Sequence, residues 1–440
     1  MRYWALLSIP ISILVGVSCD KLWSSSIVDC GRPGFTCPDG YTPDMPLSEA
    51  DGGAGGSDGG GSSDGGGSPG TDMGTVIPAG YTSVYTLSDT PRTTLVGTSD
   101  GRVRTYSFNG SGSTFAFVNQ FTEESGIPIV GVWRGNLYGS GTPNNFTIVV
   151  PKTNKIYTHL NNAVGVLKSA PQILNGIWSS RRNGQNNTPI YSNVKVYFPA
   201  NNGKVIEADV QQSPTLSLGN LSEIDLGVTS TINAVGGVQQ AGSDSSMRFC
   251  APSPCPNTDV AWAAGDAGKL FNRDDAGWHL VVLASGTLPT TAQLFGVASG
   301  LSGMSEAPPA FALGKDGVYA ERPSGDLSQW QTLLSSPFGT TTLNAVCYID
   351  NSEAWAVGEG GTVYHYFGYM DPPAWNKVTL PNLGKDLSKV SLRAVHCADS
   401  TYDGTTQRPR RVTIVGSNNT LLFGEDSSGM GISYAWSLVE

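Results

Sequence analysis

Histidines are the first residues to consider for acid–base or metal chemistry, and this chain of 440 residues has only four. No two of them have the spacing of metal ligands, and no HExxH motif is present. The chain also lacks a nucleophile elbow and a phosphate-binding loop. We therefore predict no catalytic residue, no metal and no cofactor from local motifs. The histidines are His159, His279, His365 and His396.

Two tyrosines and two aspartates are the remaining candidates for chemistry. Some glycosidases use a tyrosine nucleophile, and Tyr364 and Tyr366 alternate with other residues along one predicted strand. We expect both to pack in the interior instead, because strands with two covered faces carry large side chains on each. Asp274 and Asp275 are adjacent carboxylates without further oxygen ligands, which is typical of a solvated loop rather than a calcium site.

Cys19 ends an N-terminal segment that reads MRYWALLSIPISILVGVSC. One arginine precedes an apolar run too short to span a membrane comfortably, as in a secretory signal peptide. The Val-Ser-Cys ending resembles the lipobox of bacterial lipoproteins, which implies cleavage after residue 18 and lipidation of Cys19. Acyl chains would then hold the exported protein at the outer membrane or the periplasmic face of the inner membrane. An ordinary cleaved signal peptide, with Cys19 incidental, is the alternative.

The six other cysteines form an even set, which in an exported chain indicates disulfides. Two pairs flank short turn-rich segments that a disulfide could close. The third pair occupies equivalent places in successive repeats, and it either joins neighbouring repeats or consists of two buried thiols. The pairs are Cys30 with Cys37, Cys250 with Cys255, and Cys347 with Cys397.

Composition divides the chain into an anchor, a linker and one large domain. Residues 48–74 consist almost entirely of Gly, Ser and Asp and cannot bury a core, so we predict a disordered linker. It follows a short Cys-containing segment at 19–47, and this arrangement resembles myxobacterial lipoproteins. The net charge of −10 argues against a nucleic-acid partner, which would need a basic surface.

Residues 75–440 contain seven copies of one pattern. Each copy has an apolar strand, a glycine turn, a second alternating strand and a third strand often opened by tryptophan, and a further short apolar segment precedes it. The clearest copy is EAWAVGEGGTVYHYFGYMDPPAWNKV at 353–378. Four strands per unit and 45–65 residues per unit predict an all-β propeller of seven four-stranded blades. A pair of β-sandwiches or a β-helix would not explain the four-strand unit.

The recurring V/A-G-x-x-G core with a downstream tryptophan, best seen at 262–278 and 355–375, resembles two propeller families. These are the photosystem II assembly-factor family and the bacterial neuraminidase repeat family. The resemblance covers about residues 78–440 and implies the propeller fold. The full Asp-box of sialidases, S-x-D-x-G-x-x-W, is absent from this chain.

Long connections between the first and second strands, such as the predicted loops at 134–145 and 399–411, should converge on one end of the propeller, where loops on a rigid scaffold usually bind partners. These connections carry seven arginines, a residue type suited to carboxylate or phosphate groups. We predict an anion-binding end, against the alternative of dispersed, solvated arginines. They are Arg134, Arg181, Arg182, Arg248, Arg408, Arg410 and Arg411.

The sequence thus favours a monomeric lipoprotein whose propeller binds or scaffolds a cell-envelope or extracellular partner, either a protein or an anionic glycan. A polysaccharide-active enzyme, a glycosidase or lyase, is the alternative, because propeller enzymes draw site residues from separate blades and leave no local motif. A His–Tyr–Arg cluster or convergent carboxylates at the channel mouth would favour the enzyme.

Overall fold

A computed structural model describes most of the second compact unit of the chain, Gly74–Glu440. The predictions for the signal peptide, Cys19, the pair Cys30 and Cys37, and the linker lie outside the described residues, as does the pair Cys250 and Cys255. The described residues are 79–87, 92–108, 115–139, 142–182, 194–212, 216–237, 240–241, 260–274, 276–300, 309–323, 329–332, 336–350, 353–368, 374–398, 410–426 and 433–439.

The fold is the predicted all-β propeller of seven blades. Within each blade the strands pair antiparallel in the order of the chain, from an inner strand to an outer strand. Blade 1 contains β1 (Tyr81–Thr86), β2 (Arg92–Thr98), β3 (Arg102–Phe108) and β4 (Phe115–Thr122). Blade 2 contains β5 (Ile129–Gly139), β6 (Thr142–Pro151), β7 (Lys155–Leu160) and a split outer strand, β8 (Ala163–Val164) and β9 (Lys168–Ser169).

Blade 3 has a split outer strand as well, and a short parallel pair, β11 with β17, joins it to blade 4. Its strands are β10 (Trp178–Ser179), β11 (Arg181–Arg182), β12 (Val194–Pro199), β13 (Lys204–Gln211), β14 (Ser217–Leu218) and β15 (Ser222–Asp225). Blade 4 contains β16 (Ile232–Gly237), β17 (Gln240–Ala241), β18 (Ala261–Gly265), β19 (Leu270–Asp274) and β20 (Gly277–Leu280).

In blade 5 the outer position is held by a single bridge between Glu321 and Gln331. Its strands are β21 (Leu294–Ser299), β22 (Ala310–Gly314) and β23 (Tyr319–Arg322). Blade 6 contains β24 (Leu343–Asp350), β25 (Glu353–Gly358), β26 (Val363–Phe367) and β27 (Ala374–Lys377). Blade 7 contains β28 (Leu392–Ala398), β29 (Arg410–Gly416), β30 (Thr420–Asp426) and β31 (Ala435–Leu438). No helix among the described residues is long and apolar enough to cross a membrane.

The two glycines of the repeat motif are explained by close backbone contacts. The first glycine of the motif is the last residue of the second strand of its blade. A Cβ there would lie 1.8–2.5 Å from a carbonyl oxygen just before the inner strand of the same blade, as at Gly314 and Gly358. The second has a positive φ in the turn, and a Cβ would meet a carbonyl of the chain that follows the outer strand, as at Gly203 and Gly361. Only glycine satisfies both requirements without strain.

Large side chains fill the spaces between blades, as the alternating pattern predicts. Tyr364 and Tyr366 pack against the aromatic residues Phe338 and Phe311 of the neighbouring blade, each with ring centroids 4.8 Å apart. Burial raises the pKa of Tyr366 to about 12, with the charge of Glu321 contributing. Little phenolate is therefore present at neutral pH, which fits packing rather than nucleophilic chemistry.

Blade 7 comes wholly from one stretch at the end of the chain, Leu392–Leu438, so packing rather than strand exchange closes the ring. The closing contacts combine an apolar cluster, with Tyr81 and Val96 of blade 1 against Val415 and Leu421 of blade 7, and hydrogen bonds. The backbone N–H of Asn418 donates to the carbonyl of Ala79 at 2.9 Å. On the inner side, the hydroxyl of Thr86 donates to that of Thr413, also at 2.9 Å.

Candidate functional site: the central channel

A channel runs along the propeller axis between the inner strands, and its wider end is a cavity of about 750 Å³. That volume lies within the range of small-molecule sites. Each of the seven inner segments contributes the same positions to the wall, and many of these residues are small. The small lining residues are Ser83, Gly131, Gly176, Ala234, Gly296, Ala345 and Ala394.

A β-bulge near the start of the inner strand lies at the wide end of the channel, and it recurs in six blades. In four blades the side chain at this position crosses to the next blade. There it donates to the backbone carbonyl of the apolar residue at the equivalent place, over 2.6–3.0 Å. The donors are Thr82, Asn175, Asn233 and Asn344, and the acceptors are Ile129, Ile232, Leu294 and Leu392.

An apolar girdle surrounds the channel at mid-depth, with one β-branched residue from each blade. Because β-branched side chains have restricted rotamers, the girdle is a stiff hydrocarbon wall. We use "girdle" for these seven residues below. They are Val84, Val132, Ile177, Val235, Val297, Val346 and Val395.

Beyond the girdle the channel narrows to a cavity of about 210 Å³ lined by Trp133, Trp178 and His396, among others. The Nδ1 atom of His396 accepts a hydrogen bond from the backbone N–H of Thr86 at 3.3 Å. The imidazole also lies against the ring of Tyr85, with centroids 4.5 Å apart. This histidine therefore takes part in the contact between blades 7 and 1.

A disulfide joins Cys347 to Cys397 in the wall of the narrow end. Cys347 belongs to β24 and Cys397 to β28, so the bond connects the inner strands of blades 6 and 7. Of the two alternatives left open by the sequence, the pairing across neighbouring blades is confirmed. The other two cysteine pairs stay predictions.

Two charged side chains, Arg393 and Glu359, line the wide cavity, and no other described lining residue carries a charge. The Oε1 atom of Glu359 accepts hydrogen bonds from the hydroxyl of Ser391 at 2.7 Å and the amide of Asn344 at 3.2 Å. Arg393 is half-buried, and its Nη1 atom is enclosed without a partner. Burial lowers the pKa of Arg393, although the nearby charge of Glu359 acts in the opposite direction.

Three of the seven arginines predicted in loops are instead buried within strands. Arg134 is on β5, because the predicted loop 134–145 continues as a long hairpin between β5 and β6. It is 5 % exposed and donates to Thr147 at 2.7 Å and to Asn162 at 2.9 Å. Arg410 and Arg411 begin β29 and are 7 % and 2 % exposed. The prediction that these three side chains lie in the connections between strands was wrong.

The other four arginines do not test the anion-binding prediction, which stays a prediction. Arg181 and Arg182 form β11, with backbone pairing to Gln240 and Ala241 on β17. This pair connects the inner-to-second-strand segments of blades 3 and 4 on the narrow side of the channel. Arg248 and Arg408 fall outside the described residues.

A His–Tyr–Arg cluster does exist, but it lies between blades 6 and 7 rather than in the channel. Its centre is Glu353, which is completely buried. Oε1 accepts from His365 at 3.0 Å and from the hydroxyl of Tyr434, and Oε2 pairs with Arg410. Burial alone would raise the pKa of Glu353, but the hydrogen bonds from His365, Tyr434 and Arg410 outweigh it and lower the pKa.

Tyr434 is a poor nucleophile in this setting. Burial raises the pKa of its phenol, and the adjacent carboxylate of Glu353 raises it further. The imidazole of His365 is stacked on Trp355, with centroids 4.1 Å apart. His365, Tyr434 and Arg410 thus each contact the carboxylate of Glu353, which is typical of a structural network that joins two blades.

Sequence reasoning missed Arg393 and Glu359 as channel residues. The signal was present in the inner-strand segments, where LNG, INA and LNA in three blades correspond to LRA at 392–394. Comparison of equivalent positions would have shown an arginine in place of asparagine.

No protein-family model matches the chain, and no curated protein matches it significantly.

Proposed function

We propose that the protein is an exported, lipid-anchored binding module whose propeller holds a ligand in the wide end of the central channel. The observation that carries the proposal is the 750 Å³ cavity, which combines a hydrocarbon girdle with a few convergent polar groups. Export and anchoring rest on the N-terminal segment and Cys19. The anionic glycan or protein partner inferred from the loop arginines would bind the opposite, loop-bearing end.

The composition of the channel supports binding over polysaccharide hydrolysis. Most glycosidases need two carboxyl groups about 5–10 Å apart on either side of the scissile bond. Glu359 is the one carboxylate among the described lining residues. The wall otherwise presents hydrocarbon, small residues and amides that already hold adjacent blades together.

The neutral fluorophore N-phenyl-1-naphthylamine tests this function, because its emission rises in an apolar cavity. We expect one saturable site in the wild-type protein. Ala234→Trp should fill part of the wide end and weaken binding at least tenfold, since Ala234 lines the cavity. Ala163→Trp is the matched control, because Ala163 is exposed on the outer strand β8.

The control should bind like the wild type, and circular dichroism should show the same strand content in all three proteins. Absence of saturable binding to the wild type would refute a channel site. Equal affinity of the two tryptophan variants would refute it as well, since the fluorophore would then bind elsewhere.

A further inference from the structure

Arg393 departs from the pseudo-symmetry of the channel. It occupies the bulge position of blade 7, where four other blades place Thr or Asn. Those side chains each donate to the next blade. Arg393 forms no hydrogen bond or ion pair with any described residue, although Glu359 is near enough to influence it electrostatically.

An arginine without a partner in a half-buried site is unfavourable for the free protein. A buried charge that lacks a partner loses hydration without compensation, and structures normally pair such groups. Thr or Asn at this position would continue the pattern of the other blades and avoid the loss. The cost is recovered if an anion completes the site, because hydrogen bonds to a desolvated guanidinium are strong.

The surroundings of Arg393 restrict the anion. A carboxylate matches the planar fork of a guanidinium and accepts two hydrogen bonds from it. Glu359 adds a negative charge to the same wall, which disfavours dianions such as phosphate. The girdle lies immediately deeper in the channel, where Val346 and Val395 belong to the walls of blades 6 and 7. Hydrocarbon attached to the carboxylate would contact it.

We infer that the wide end of the channel binds a small monocarboxylate, with the carboxylate on Arg393 and an apolar body against the girdle. This inference rests on the proposed channel-binding function and specifies its ligand class. In this arrangement Arg393 provides selectivity for charge, and the girdle provides affinity in proportion to the buried hydrocarbon.

Three probes with the same hydrocarbon chain separate these contributions: octanoate, 1-octanol and octylamine. Each is titrated as a competitor of N-phenyl-1-naphthylamine in the full-length protein. Octanoate should bind the wild type at least tenfold more tightly than 1-octanol, and octylamine should be weakest. Arg393→Gln should abolish the preference for octanoate, so that the ratio of the octanoate and 1-octanol affinities falls to about one. Arg393→Lys should restore part of it, because the charge remains without the planar fork.

Glu359→Gln tests the second charge. It should strengthen binding of octyl phosphate, a dianion with the same chain, more than binding of octanoate. Unchanged discrimination in this variant would refute the role of Glu359 in excluding dianions.

The outcomes distinguish this inference from the function on which it rests. If the fluorophore does not bind in the channel, the proposed function fails. If the fluorophore binds but octanoate and 1-octanol compete equally, the channel site stands and the carboxylate inference fails. An octanoate preference that survives in Arg393→Gln overturns the role of Arg393. Should that variant not fold, the Arg393→Lys protein and the wild-type probe ratios decide the question.

Discussion

Removal of the disulfide between Cys347 and Cys397 should destabilise the propeller at blade 7, which exchanges no strand with blade 1 among the described residues. Blade 7 is built from one terminal stretch, so its attachment to blade 6 depends on packing, the Glu353 network and this bond. The perturbation is the double substitution Cys347→Ala and Cys397→Ala, which removes the bond and leaves small apolar side chains in the channel wall.

The expected magnitude follows from the length of chain that the bond closes. The two cysteines are 50 residues apart in sequence. Loop-closure entropy for that length is about 14 cal/mol/K, or about 4 kcal/mol at room temperature, by the chain-entropy relation. This is an upper value, since residual structure in the unfolded chain reduces the entropy difference. It is still a large part of the 5–15 kcal/mol by which domains are typically stable.

Urea unfolding followed by tryptophan fluorescence measures the difference between the oxidised wild type and the double variant. The same titration with reducing agent provides the control for the five remaining cysteines. Reduction should lower the wild-type midpoint to that of the double variant and leave the variant nearly unchanged. If reduction lowers the free energy of unfolding of the wild type by less than about 1 kcal/mol, the loop-closure reasoning is refuted.

The remaining predictions concern a buried charge, a turn and the anchor. Glu353→Gln breaks the buried ion pair with Arg410 and should cost about 3 kcal/mol in urea unfolding. Because the pKa of Glu353 is lowered on folding, its stabilisation is complete above the unfolded pKa and is lost as pH falls through the folded value. The free energy of unfolding of this variant should therefore fall less than that of the wild type as the pH is lowered. Gly203→Ala should destabilise more than Gly227→Ala, since both have positive φ but only Gly203 would bring a Cβ within 1.8 Å of a carbonyl oxygen. Cys19→Ala should abolish labelling by a palmitate analogue and release the protein from membranes; labelling that persists would contradict the lipobox assignment.

The fold was predictable because its strongest constraints are local. Each V/A-G-x-x-G segment combines a close backbone approach with a left-handed turn, and both requirements select glycine. Blades 2 and 3 follow the motif less closely, and they also have the divided outer strands. The hairpin between β5 and β6 was not predictable, because Asn, Gly and Pro at 134–145 indicate a loop while the structure extends both strands through them.

The arginines show why burial is harder to predict than strand position. The segment RPRR at 408–411 resembles a basic loop, but Arg410 and Arg411 are enclosed because acidic residues distant in sequence face them. Arg410 pairs with Glu353 and Arg411 with Glu425, the latter at 2.9 Å. Glu425 faces Arg411 across the hairpin of β29 and β30, whereas only the assembled ring brings Glu353 of blade 6 to Arg410. The local sequence pattern therefore indicated solvation.

Arg393 shows the converse case, in which a site residue is identified by the interaction it fails to make. Once the seven inner strands are known to be equivalent, the sequence places Arg393 at the bulge of blade 7. The sequence also shows that Arg393 stands where the preceding blade has Asn344. Its lack of a partner does not follow, because that depends on how the next blade presents its carbonyl groups. An arginine that replaced asparagine merely as another contact between blades would be expected to donate to that neighbour. The half-buried, unpaired guanidinium beside a hydrocarbon girdle is instead the arrangement that an amphipathic anion would complete.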